Sequence, residues 1–404
     1  MPSPRTLATL TLLAVATLAG AAFAGLAPVE QLGKDLFFDE NLSEPVGQSC
    51  ATCHGPDAGF AGPDSPINLE TAAYPGAVPT RFSNRKPPTA AYAGDSPVLH
   101  LAEEEAEPGE DPEHLFVGGM FFDGRAHGWK LQDPLAEQAQ GPFLNPLEQN
   151  IAHSDLVVDR VRQHYGDRFV QLFGTDALDP ADPDAAYDLI ARAIAAYERS
   201  DEVNPFSSKY DHYLRGEATL TAEEQFGLEV FEGKALCAEC HISRPGPDGS
   251  PPLFTDFTYD NLGVPRNEDL PFYDMPADIN PDGRAYVDPG LGGFLATHPH
   301  WAAHAEENLG KHKVPTLRNV DARPSPDFVK AYMHNGVFKT LEEVVSFYNT
   351  RDTGDWAPPE EPRNVNTDEL GDLQLTPAEE AALVTFMKTL TDGYDPDSGY
   401  DAAP

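Results

Sequence analysis

Basic residues are scarce: 27 Lys and Arg stand against 66 Asp and Glu, a formal net charge of −39 over 404 residues. Nucleic acid and anionic membrane surfaces reward Lys and Arg clusters, so neither is an expected partner, whereas a basic protein is. Cysteine is scarcer still, with four residues. No Gly-rich phosphate loop, nucleophile elbow or HExxH pair occurs, which leaves nucleotide-dependent and hydrolytic readings without support. After residue 24 no apolar run approaches the length of a membrane helix, so no membrane span is expected in the mature chain. Pro and Gly are plentiful, at 39 and 33 residues, beside 40% hydrophobic residues. That composition allows a core and requires long loops.

Arg5 precedes an apolar run from Leu7 that closes on Ala22-Phe23-Ala24, a charged start, apolar centre and small-residue cleavage pattern. Residues 1–24 therefore read as a secretory signal peptide, and the mature protein is expected in the periplasm or otherwise exported.

All four cysteines fall in two copies of one pattern, Cys50-Ala51-Thr52-Cys53-His54 and Cys237-Ala238-Glu239-Cys240-His241. CxxCH is the attachment pattern of a c-type haem. Two thiols three residues apart can form thioethers with the two vinyl groups of one porphyrin, and the adjacent His offers nitrogen to the iron. Disulfides do not need a His after each pair, and a four-Cys zinc site would not split its ligands between distant pairs. Two covalently bound haem c groups are expected, on Cys50, Cys53 and His54 and on Cys237, Cys240 and His241.

Each haem pattern follows a short amphipathic segment. Val29, Leu32 and Leu36 recur at helical spacing before the first, while Thr221 and Glu224 form a capping box for a helix carrying Phe226 and Val230 before the second. Ile190, Ile194 and Tyr197 mark a helix near residues 189–197, and Thr376 with Glu379 caps one carrying Leu383, Phe386, Met387 and Leu390. Strand-like alternation is scarce. The expected fold is mainly α: two cytochrome c-like haem domains with long loops, at 25–205 and 206–404, joined near the Pro-containing passage 200–209.

These features and several local motifs resemble the bacterial dihaem cytochrome c peroxidases and the related MauG enzymes. The motifs are Leu32-Gly33-Lys34-Asp35-Leu36-Phe37-Phe38-Asp39, Phe122-Asp123-Gly124-Arg125-Ala126, Glu137-Gln138-Ala139 through Gly141-Pro142 to Asn145-Pro146-Leu147-Glu148, Pro315-Thr316-Leu317-Arg318-Asn319-Val320, and Tyr332-Met333-His334-Asn335-Gly336 followed by Leu341-Glu342-Glu343-Val344-Val345. The resemblance spans nearly the whole mature chain.

It implies a peroxidatic N-terminal haem and an electron-transfer C-terminal haem. Glu148 is then the general acid/base and Gln138 orients the peroxide. His54 and His241 are the proximal iron ligands, and Tyr348, fourteen residues after His334, is the sixth ligand of the second iron, with Met333 the alternative. A phenolate there favours holding oxidising equivalents over passing electrons at high potential. Many relatives cap the first iron with a His from the following loop. None occurs here between His54 and His100, so that iron is expected to be open or water-ligated.

Two departures stand out. Phe122 occupies the inter-haem relay position where the family usually has Trp. Lys86 occupies the position of an Asn that helps hold an inter-haem calcium, so an ammonium stands in for the cation; if calcium is retained, the carbonyls of Val329 and Ala331 are the matching donors. Asp278, Asn280, Asp282 and Gly283 begin like a calcium loop, but Pro281 interrupts it and Pro289 stands where a bidentate Glu is required. His298, His300, His304 and His312 read as a loop lining the approach to the second haem rather than a copper site.

The expected function is peroxide reduction to water with electrons from a small basic cytochrome c or cupredoxin. The rivals are MauG-like oxidation of a partner protein and a non-catalytic electron-transfer dihaem cytochrome.

Overall fold

A computed structural model describes residues 25–103, 114–398 and 400–401; the segment 1–24, expected to be a signal peptide, lies outside them. Helices dominate. In the first half they are α1 (Pro28–Phe37), α2 (Ser65–Glu70), α3 (Pro134–Leu144), α4 (Ser154–Phe173) and α5 (Pro183–Glu198). The second half carries α6 (Lys209–Leu214), α7 (Ala222–Glu232), α8 (Cys237–Cys240), α9 (Gly290–Thr297), α10 (Leu341–Thr350) and α11 (Pro377–Lys388). Sheet among the described residues is limited to two-stranded antiparallel pairs, β1 (His100–Glu103) with β2 (His114–Val117), β3 (Tyr259–Asp260) with β4 (His312–Lys313), and β5 (Tyr394–Asp395) with β6 (Tyr400–Asp401).

Local chemistry accounts for the helix starts. Thr221 and Thr376 each accept from the backbone N–H three residues on, while Glu224 and Glu379 reach back to the cap, so both expected capping boxes form. Asp133 caps α3 by accepting from Leu135 and Ala136. The helix α4, which the sequence motifs did not signal, starts at His153 without a side-chain cap. Its Val157, Val158, Val161 and Phe169 are buried, so packing sustains it rather than capping.

Two helix pairs repeat one packing device. In α1, a Cβ on Gly33 would collide with the carbonyl oxygen of Ala193 in α5; in α7, a Cβ on Gly227 would collide with the carbonyl oxygen of Ala382 in α11. Glycine at each crossing lets the backbones approach closely. This also corrects the expected face of α7. Gly227, Leu228, Val230 and Phe231 are turned inward, and Phe226 is left exposed.

Each pair anchors a large apolar cluster. One joins Leu32, Leu36, Phe37, Phe143, Val161, Ile194 and Tyr197; the other joins Leu228, Phe231, Phe254, Phe347, Leu383 and Phe386. A smaller cluster, with Leu99, Phe116, Tyr259, Leu291 and Trp301, joins β2 of the first half to β3 and α9 of the second.

Candidate active site

Two cavities receive the two CxxCH segments. Cys50, Cys53 and His54 line the first, and Cys237, Cys240 and His241 line the second. Both histidines are held the same way. His54 Nδ1 lies 3.2 Å from the Phe60 carbonyl oxygen, and His241 Nδ1 lies 2.8 Å from that of Phe254. A carbonyl only accepts, so Nδ1 carries the proton and the Nε2 lone pair is free for a metal. Burial lowers the pKa of both imidazoles, keeping them neutral.

The support behind each imidazole is duplicated too. Phe60 and Phe254 take left-handed backbone angles, with φ of 55° and 53°. Thr89 Oγ1 donates to the Gly59 carbonyl at 2.7 Å, and Thr316 Oγ1 donates to the Leu253 carbonyl at 2.6 Å, in each case the residue before the phenylalanine. Sequence reasoning gave these residues no role. Their signal was the dipeptide Pro88-Thr89, echoed by Pro315-Thr316. Paired thiols on a cavity wall and an imidazole fixed with Nε2 free are the donor set that haem c requires, so the residues fit that group at both places.

Gln138 and Glu148 line the first cavity. Gln138 sits on α3, while Glu148 sits in the turn that follows it. Pro142 lacks the N–H that would bond the Gln138 carbonyl, and α3 ends two residues later. The turn is closed by Glu148 N–H on the Asn145 carbonyl at 3.0 Å and Gln149 N–H on the Pro142 carbonyl at 3.0 Å. Burial raises the Glu148 pKa, opposed by the Arg125 charge and a hydrogen bond with Asn145. His54 is the one histidine lining this cavity among the described residues.

Tyr348 and Met333 both line the second cavity. Tyr348 is on α10 between buried Phe347 and Asn349, and burial raises its pKa. Met333 is in a loop at φ 65°.

Lys86, Pro88, Thr89 and Phe122 line both cavities and so form their common wall. Lys86 Nζ stands 5.9 Å from the Phe122 ring centroid, and burial lowers its pKa to about 8. Of the two carbonyls expected to serve a cation, that of Val329 accepts from Asn68 Nδ2 at 2.9 Å. Beside it the Lys330 ammonium bonds the carbonyls of Ala58 and Ala322 at 2.9 and 2.8 Å.

His312 departs from the expected histidine cluster. It lines the second cavity and stacks on His334 with centroids 3.6 Å apart and planes 11° apart. His298 and His300 pack instead against Trp129 and Trp301. Asp288, His312 and His334 bring three ligand atoms within 4.8 Å of one another. Arg85, however, grips both carboxylate oxygens of Asp288 at 2.6 Å, and parallel imidazoles do not converge their in-plane lone pairs on one point. We assign no metal there.

A family model described as di-haem cytochrome c peroxidase matches residues 27–219. Methylamine utilization protein MauG of Paracoccus denitrificans is 37% identical over 382 residues, which cover 90% of this chain and 89% of that protein. Cytochrome-c peroxidase IdrP2 of a Pseudomonas species (strain SCT) is 28% identical over 385 residues, covering 91% and 82%. Among solved structures, the diheme peroxidase BthA from Burkholderia thailandensis superposes with a TM-score of 0.74 at 34% identity, covering 95% of this chain and 92% of that one.

Proposed function

The chain belongs to the di-haem cytochrome c peroxidase family, and on that premise we propose that it reduces hydrogen peroxide to water with electrons taken singly from a small redox protein. The observation that carries this reading is Gln138 and Glu148 on the wall of the cavity that also holds the CxxCH histidine His54. Haem iron, when bound, supplies a coordination site for peroxide in the first cavity and a store of oxidising equivalents in the second.

The protein's own groups do the rest. His54 and His241 present Nε2 because Phe60 and Phe254 hold the Nδ1 proton. The Gln138 amide orients the peroxide by hydrogen bonds. A Glu148 carboxyl oxygen takes the proton from one peroxide oxygen and returns it to the other, a transfer eased by burial, which raises the carboxyl's pKa above its ordinary value. Phe122, in the common wall, is the packed contact between the two centres.

The same reading divides the chain into two cytochrome c-like halves, 25–205 and 206–404, each with one haem, supported by the repeated Gly33/Ala193 and Gly227/Ala382 crossings. It places the mature protein in the periplasm, after removal of 1–24. No helix among the described residues is long and apolar enough to cross a membrane. The direct test is steady-state oxidation of a reduced small cytochrome c by peroxide with the dihaem protein. Turnover no faster than free haem would overturn the proposal.

A second reading, peroxide-dependent oxidation of a partner protein, is favoured by Tyr348 on the wall of the second cavity. As sixth ligand, its phenolate would stabilise the oxidised iron. Tyr348→Phe is expected to change the electron paramagnetic resonance signal of the second haem and leave that of the first intact. An unchanged spectrum would remove Tyr348 as the sixth ligand and leave Met333 as the alternative to test.

A further inference from the structure

Glu148 ends its proton transfer as it began, yet reducing peroxide to two waters consumes two protons. Another group on the cavity must deliver them. Glu198, in the last turn of α5, lines the first cavity with Cys50, Gln138 and Glu148. It is 5% exposed, and its Oε2 has no hydrogen-bond partner. The same wall carries Gln48, whose Oε1 is unpartnered, and Gln149, whose two side-chain polar atoms are both unpartnered. Orphaned buried polar atoms facing one cavity are the partners that ordered water requires.

The surrounding charges leave Glu198 without a counter-ion. Arg199 is the cation whose charge reaches it, but its guanidinium is held by Asp133 at 2.7 and 2.9 Å and by the Gly94 carbonyl. On α1, Lys34 pairs with Glu202 at 2.5 Å. Across the cavity Glu148 is itself acidic, and Arg125 is paired with Asp123 at 2.8 Å. An unpaired carboxylate removed from water is costly, so the carboxyl keeps its proton. Burial pushes its pKa up to about 8, with Arg199 opposing and Asp133 reinforcing.

We propose that Glu198 is the proton-delivering carboxyl of the peroxide pocket: its COOH releases a proton into the first cavity toward water formation and is reprotonated from solvent through water held by Gln48 and Gln149. The balance is one peroxide, two electrons from the redox partner and two protons, each passing through Glu198 in turn, to give two waters. The inference rests on the peroxidase reading above.

The test uses the dihaem protein and two substitutions, Glu198→Gln, which keeps the size and loses the proton, and Glu198→Asp, which keeps the acid. In the parent, kcat is expected to form a plateau above the acidic limb set by Glu148 and to fall as pH rises through about 8, and the absorption of the oxidised first haem should titrate with the same alkaline midpoint. Glu198→Gln should abolish that spectral titration and lower kcat about tenfold or more, with KM for the electron donor unchanged, while Glu198→Asp retains both features with a shifted midpoint. A spectral titration in Glu198→Gln identical to that of the parent, or a kcat within twofold of it, would overturn the proposal. If the parent itself turns over no peroxide, the functional reading fails, and the spectral titration still decides whether Glu198 carries the proton.

Discussion

Glu148→Gln is expected to lower kcat for peroxide by about 10²–10⁴-fold, the usual contribution of a general acid/base. The amide matches the carboxyl in size and can still accept from Asn145, so haem content, both haem spectra and thermal stability should stay close to those of the parent. Only the ability to take a proton and return it is lost. The pH dependence has a definite sign. Proton abstraction needs the ionised form, so activity rises as pH rises through the Glu148 pKa, which burial lifts above its ordinary 4.5 and the Arg125 charge holds down. Arg125→Leu should therefore move this acidic limb to higher pH. Single-turnover and steady-state kinetics from pH 4 to 8 measure both effects; wild-type rates in Glu148→Gln would remove this residue from the chemistry.

The second large effect concerns stability. Arg318 and Asp211 form an ion pair whose side chains are each 1% exposed, with two hydrogen bonds of 2.9 Å. Arg318 Nε also donates to the Pro252 carbonyl at 2.7 Å. The guanidinium carbon lies 4.7 Å from the Tyr92 ring centroid and 4.5 Å from that of Phe206. Tyr92 in turn donates to Asp392 at 2.7 Å, so this ion pair sits where segments distant in the chain are joined. Arg318→Ala leaves a buried carboxylate unpaired and should cost about 3–5 kcal/mol, read by urea unfolding.

The pH dependence of that loss identifies its cause. Burial opposes ionisation of Asp211, but hydrogen bonds and charge from Arg318 outweigh it and hold its pKa below the usual value. In the parent this stability is present above the unfolded Asp pKa of about 3.9 and is lost as pH falls through the lowered folded value. Without Arg318 the Asp211 pKa rises, so the variant should lose less stability than the parent on going from pH 7 to 5. Asp211→Leu combined with Arg318→Met should recover much of the loss, because replacing both partners leaves no buried charge.

Arg318 also shows where reading the chain stopped. In the sequence it is one residue of the motif from Pro315 to Val320, with no mark of burial or of its partner, because Asp211 lies 107 positions away. Glu198 was equally silent: a glutamate in a chain with 66 acidic residues is by default a solvated one. The face of α7 depends on a distant segment in the same way. Apolar spacing turned Phe226 inward, whereas the crossing with α11 selects the face centred on Gly227.

By itself the sequence determined the features whose physics is local: the two CxxCH attachment patterns, the capping boxes at Thr221 and Thr376, the helix carrying Leu32 and Leu36, and the excess of acid. Each depends on residues within a turn or two of one another, or on composition alone. Only the tertiary structure decided which groups share a cavity. It drew Gln138, Glu148, Gln149 and Glu198 to the wall beside His54, made Phe122 and Lys86 the partition between the two cavities, and removed His312 from its sequence neighbours to stack on His334. Burial and counter-ions set the protonation of these groups, and both come from segments far apart in the chain.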